Sequence, residues 1–125
     1  MPHVFEYALL RAVPRQERGE FMNVGVIVYC APLDFLRCAT FVDGARLAAL
    51  DPELDLDVLT DALRALCDAC EGAGQLADSS PGQRFRWLTA PRSTILQASP
   101  AHTGLTEDPA AELDHLVRTL VRPAP

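Results

Sequence analysis

Asn23-Val24-Gly25-Val26-Ile27-Val28-Tyr29-Cys30 alternates like a β-strand, with Val24, Val26 and Val28 on one face and Gly25, Ile27 and Tyr29 on the other. Both faces are apolar, which predicts a central strand covered on both sides. Two further strands flank it. Val4 to Val13 is rich in β-branched, aromatic and apolar residues and is closed by Pro14. Phe35 to Val42 follows the turn Ala31-Pro32-Leu33-Asp34. Short connections make these neighbours antiparallel, so the three form a meander. The loop joining the first two is polar: Arg15-Gln16-Glu17-Arg18-Gly19-Glu20.

The pattern then changes to the helical period. Asp43 can cap a short helix through Leu50, stopped by Asp51-Pro52. Leu56, Leu59, Leu63, Leu66, Cys67 and Cys70 recur at spacings of three and four, which gives a second helix one apolar stripe. Burying such a stripe contributes ~10 kcal/mol gross, enough to dock the helix on the sheet. Asp108 and Pro109 suit the N-cap and first position of a last helix, whose buried face is Leu113, Leu116, Val117 and Leu120. Between these helices, Gly72 to Gly82 reads as a surface loop, Arg84 to Leu88 and Ser93 to Gln97 as short strands, and Ser99 to Thr106 as a polar turn. The expected fold is α+β: an antiparallel meander sheet with two main helices packed on one face, forming one domain over residues 1–125.

Composition narrows the function classes. The 125 residues are 49% hydrophobic and 22% charged, close to ordinary globular usage, and a chain of this length can bury a real core without disulfides. The net charge is −6, and all eleven basic residues are arginine. An acidic chain argues against nucleic-acid binding, although Arg11, Arg15, Arg18, Arg84, Arg86 and Arg92 flank the acidic stretch Asp43 to Glu71. The first residues lack the basic and apolar regions of a targeting signal, and Val24 to Pro32 is too short to span a bilayer. The chain is expected in the cytoplasm, with its four cysteines reduced.

The motifs point to binding more than to catalysis. Cys67-Asp68-Ala69-Cys70 falls in the last turns of a helix, where i and i+3 Cβ atoms lie about 5–6 Å apart, unsuited to a redox pair. A zinc site needs two more ligands; Cys30 and Cys38 on neighbouring strands could supply them, but buried cysteine acting as a small hydrophobe is the simpler reading. His3 and His115 have no nucleophile pattern near them. Arg15 and Arg18 in the polar loop, with Arg92-Ser93-Thr94, offer planar donors and hydroxyls for an anion. The competing reading is a solvated loop in which Arg18 pairs with Glu17 or Glu20. No phosphate-binding loop, dinucleotide fingerprint, nucleophile elbow or zinc helix is recognisable, so no catalytic residue, cofactor or metal is expected.

Three stretches taken together carry a family resemblance. They are Tyr7-Ala8-Leu9-Leu10-Arg11-Ala12-Val13-Pro14 with Arg18-Gly19-Glu20-Phe21-Met22-Asn23-Val24-Gly25-Val26, then Arg84-Phe85-Arg86-Trp87-Leu88, then Arg92 to Pro100 with His102-Thr103-Gly104-Leu105. In this order they resemble the bacterial family known as domain of unknown function 3037, from about Phe5 to Val121. The resemblance implies no particular reaction. It implies a pathway or complex shared with HipA-like protein kinases, and it singles out Arg18, Glu20, Asn23, Arg92, Ser93, Thr94, His102 and Thr103 as polar positions in a pattern otherwise made of core. A binding module for a protein partner is therefore the leading expectation. A small enzyme or ligand-binding protein acting on an anion through Arg18, Arg92 and His102 is second, and nucleic-acid binding through the arginine-bearing loops is third.

Overall fold

A computed structural model describes residues 1–123. Strands β1 (His3–Ala12), β2 (Met22–Cys30) and β3 (Phe35–Thr40) form the antiparallel meander that the sequence predicts. The short helix α1 (Gly44–Leu50) is capped by Asp43, whose side chain accepts from the Arg46 N–H. Asp55 caps the long helix α2 (Leu56–Cys70) by accepting from the amides of Asp57 and Val58.

The next segment departs from expectation. Pro81–Leu88 is a helix, α3, not a strand. Ser80 and Gln83 close a full capping box with Pro81 at the first turn, which satisfies orphan amides that a strand would have left to a neighbour. Phe85 and Leu88 then fall on the buried side, while Trp87 is 57% exposed. Gly82 lets α3 approach β2 closely, since a Cβ there would sit 2.8 Å from the Tyr29 hydroxyl. Arg84 ties α3 to α2, donating from Nε to the Cys70 carbonyl and from a terminal nitrogen to the Ser79 carbonyl.

The C-terminal third completes the sheet. Strand β4 (Leu96–Ala98) is shorter than the predicted Ser93 to Gln97, and the expected polar turn contains a fifth strand, β5 (His102–Thr106). Both pair with the same edge of β1, β4 opposite Leu10 to Ala12 and β5 opposite His3 to Tyr7. Ser99 makes the junction. Its N–H donates to the Leu9 carbonyl at 2.8 Å, its hydroxyl accepts from the Leu9 N–H at 2.8 Å, and the same hydroxyl donates to the Pro100 carbonyl at 2.9 Å. Ser99→Ala leaves that Leu9 donor unpaired and is expected to cost about 1–3 kcal/mol, read from the denaturant midpoint. A change below about 0.5 kcal/mol would mean that water replaces the hydroxyl.

Two apolar cores lie on the two sides of the sheet. On one side, α2 and α3 pack with α1 over Ala8, Leu10, Ala12, Val24 and Ile27, burying Leu47, Leu59, Leu63, Phe85 and Leu88. Two helices thus share one face, as expected in number, but α3 stands where the last helix was expected beside α2. The last helix, α4 (Pro109–Leu116), takes the other side, where Leu113, Leu116, Val117 and Val121 meet Phe5, Val26, Val28 and Cys30. This arrangement accounts for the apolarity of both faces of β2.

A register shift alters the side-chain pattern within β2. Leu10 pairs with Gly25 but Arg11 pairs with Asn23, so Val24 is an extra residue in the ladder. The bulge turns Val24 to the side of Ile27 and away from Val26 and Val28, against the simple alternation. A similar slip ends the last helix. Val117–Val121 winds as a π-turn, so Val121 is buried and Leu120, expected inside, is 38% exposed.

The cysteines also differ from expectation. Cys38 on β3 and Cys67 on α2 form a disulfide, with Cα atoms 6.0 Å apart, so two of the four cysteines, Cys30 and Cys70, are free thiols. Cys30 lies on the opposite side of the sheet with α4, which rules out a four-cysteine site. Among the described residues, no three His, Cys, Asp or Glu side chains stand together as metal ligands. No helix among them is long and apolar enough to cross a membrane.

Candidate functional site

The arginines of the polar loop are occupied within the chain. Arg15 donates from Nε to Asp51 at 2.8 Å and from a terminal nitrogen to Glu53 at 2.6 Å, pinning the loop to the end of α1. Hydrogen bonding to Glu53 and the charge of Asp51 raise its affinity for the proton still further. Arg18 makes a two-point pair with Glu20, through Nε and at 3.1 Å through a terminal nitrogen. That hydrogen bond holds the Glu20 carboxyl below the usual carboxylate range. The cleft beside this loop carries Glu17, Asp51 and Glu53 as well as Arg15 and Arg18, so it offers an incoming anion three carboxylates.

The remaining predicted positions are spread over separate surfaces. Asn23 reaches the π-turn after α4 and donates to the Leu120 carbonyl at 3.1 Å. His102 pairs with Tyr7 in the ladder and lies against its ring, with centroids 5.2 Å apart, while Thr103 sits opposite Glu6; both are exposed. Since Tyr7 faces His102 and Ala12 faces Leu96, about 17 Å of β1 separates the histidine from Leu96, the end of β4 that follows the Arg92 segment. Arg18, Arg92 and His102 therefore do not converge on one pocket. The Arg-bearing loop and the Arg92-Ser93-Thr94 segment do meet, but through glutamines: Gln16 donates to the Thr94 carbonyl at 2.9 Å, and Gln97 donates to Gln16 at 2.8 Å. Ser93 is exposed at this corner, and the Thr94 hydroxyl donates to the Leu96 carbonyl at 2.6 Å.

Arg92 belongs to a different feature, an apolar groove of about 340 Å³ between α2, the end of α3 and β4. Ala62, Ala65 and Ala69 recur on the side of α2 that faces β4, and their small side chains leave the space open. Leu66, Leu88 and Leu96 form its floor. Trp87 stands at the rim, with the Arg92 guanidinium 5.4 Å from its ring centroid. Arg92 also donates to the Trp87 carbonyl at 2.6 Å and the Leu88 carbonyl at 3.3 Å, so its charge is fixed at the C-terminal end of α3. Among the described residues it is the one charged residue lining the groove. Sequence reasoning singled out Arg92 and Thr94 but missed Trp87 and the alanines, because Arg84 to Leu88 read as a strand. The signals present were the chain's one tryptophan and the Ala62, Ala65, Ala69 spacing beside the leucine stripe.

The fold and groove define an α+β domain whose five-stranded sheet carries an apolar recess beside its β4 edge. The chain belongs to the family described as Protein of unknown function (DUF3037), which it matches over residues 7–121, from within β1 to the last buried residue after α4. Comparisons with curated proteins and with solved structures give no match.

Proposed function

We propose that this chain is a binding module that holds a protein partner in the groove between α2, α3 and β4. The observation that carries the reading is Trp87, 57% exposed on the rim of an apolar recess and backed by Arg92. Tryptophan and arginine are the residue types that most often anchor protein interfaces, and here the two share the rim of an apolar recess. The engagement of Arg15 and Arg18 with carboxylates weighs against the rival reading, an enzyme or receptor for an anion. The family resemblance supplies the partner to try first, a HipA-like protein kinase.

Co-expression with such a kinase, followed by native mass spectrometry, tests the proposal. A complex in fixed ratio is expected, burying at least about 1,000 Å². Trp87→Ala should weaken it about 30-fold while leaving the melting temperature within a few degrees of the parent, since the ring contributes little to either core. Separate masses at micromolar concentration would remove the kinase, and unchanged affinity in Trp87→Ala would remove the groove.

A further inference from the structure

We infer that the groove takes an extended segment of a partner protein, which adds to the sheet as a new strand along β4 and places an acidic side chain on Arg92. The inference rests on the binding-module reading and specifies its chemistry. In the β1·β4 ladder, the Val13 N–H donates to the Ile95 carbonyl and the Ser99 N–H to the Leu9 carbonyl. The antiparallel alternation then turns the Gln97 backbone groups toward Arg11 and those of Leu96 and Ala98 away from β1. The Leu96 carbonyl is taken by the Thr94 hydroxyl. Among the described residues, the Leu96 N–H and both backbone groups of Ala98 have no backbone or side-chain partner.

These free groups stand at the mouth of an apolar recess. A strand can pair with them and drop alternate side chains into the groove, whereas a helix has already spent its own backbone donors. Charge supplies the second requirement. Arg92 uses two of its five N–H donors on α3 carbonyls and, among the described residues, is the sole charge in the lining, so a carboxylate at the β4 N-terminal end complements it without meeting an acid.

The test is selection of a phage-displayed library of random eight-residue peptides on the purified chain. Enriched sequences should be apolar at every second position with an acid near one end. Ala98→Pro removes a donor that faces away from β1, so the ladder bonds to β1 are kept, and it should weaken those peptides about tenfold. Arg92→Gln should abolish the preference for the acid. Should Ala98→Pro fail to fold, methylating single peptide amides gives the same readout on the unaltered protein. Apolar spacing of three and four among the winners would overturn strand addition while leaving the binding module intact. No enrichment at all would overturn the peptide inference, and the kinase co-expression would judge the module separately. A self-complex lost in Ala98→Pro would assign the edge to a second copy of this chain instead.

Discussion

Phe85→Ala is expected to lower the melting temperature by roughly 12–20 °C, the consequence of losing about 3–5 kcal/mol from a domain of this size. Phe85 is 1% exposed, and its ring lies 5.4 Å from that of Tyr29 beneath α3. The surrounding leucines cannot close the cavity, because α3 is already pressed against β2 at Gly82. Trp87→Ala is the informative companion. In a helix, positions 85 and 87 point to opposite sides; in a strand they would share one. Scanning calorimetry should therefore find a large loss for Phe85→Ala and a small one for Trp87→Ala. Equal losses would contradict the helical assignment.

The second large effect concerns the bond between Cys38 and Cys67. It closes a loop with a sequence separation of 29 and ties α2 to β3. On the chain-entropy account, opening it costs about 3–4 kcal/mol, through greater freedom of the unfolded chain. Guanidinium unfolding with and without reductant should show the difference, and the Cys38→Ser/Cys67→Ser variant should match the reduced protein under both conditions. Cys70 is the control. Burial pushes its thiol up to about 11, so at neutral pH it is a weak nucleophile toward its neighbours. Cys70→Ser should keep the full response to reductant, and a parent protein insensitive to reductant would show that the bond adds nothing to stability.

Much of the fold was legible because local and tertiary signals agreed. Asp43 and Asp108 act as the caps their positions suggest, and the leucine stripe of α2 is buried at Leu59 and Leu63. Where signals competed, the weaker local rule misled. In Arg84-Phe85-Arg86-Trp87-Leu88, alternation imitates a strand over five residues, while the capping box just upstream starts a helix. The bulge at Val24 and the π-turn after Leu116 each shift the pattern by one residue, a change that packing imposes and no periodicity announces. The strand β5 was hidden because His102, Thr103 and Leu105 are all exposed, leaving no apolar alternation to read. At the candidate site, the pairing of Arg18 with Glu20 followed from their closeness in sequence. That of Arg15 with Asp51 and Glu53 depends on how α1 is placed, and so does not.

The junction at Ser99 carries a consequence for how the chain is made. Leu9 and its partner Ser99 are 90 residues apart, so β1 leaves the ribosome long before the strands that finish it. At typical synthesis rates the wait is roughly 5–20 s, during which the β1–β3 meander can form with one border of β1 bare. A nascent chain in that interval presents a template for intermolecular pairing, and trigger-type holdases or slow codons after β3 would act on that vulnerability. Ribosome-bound chains stalled before Leu96 should aggregate on release, whereas chains released after Val121 should not.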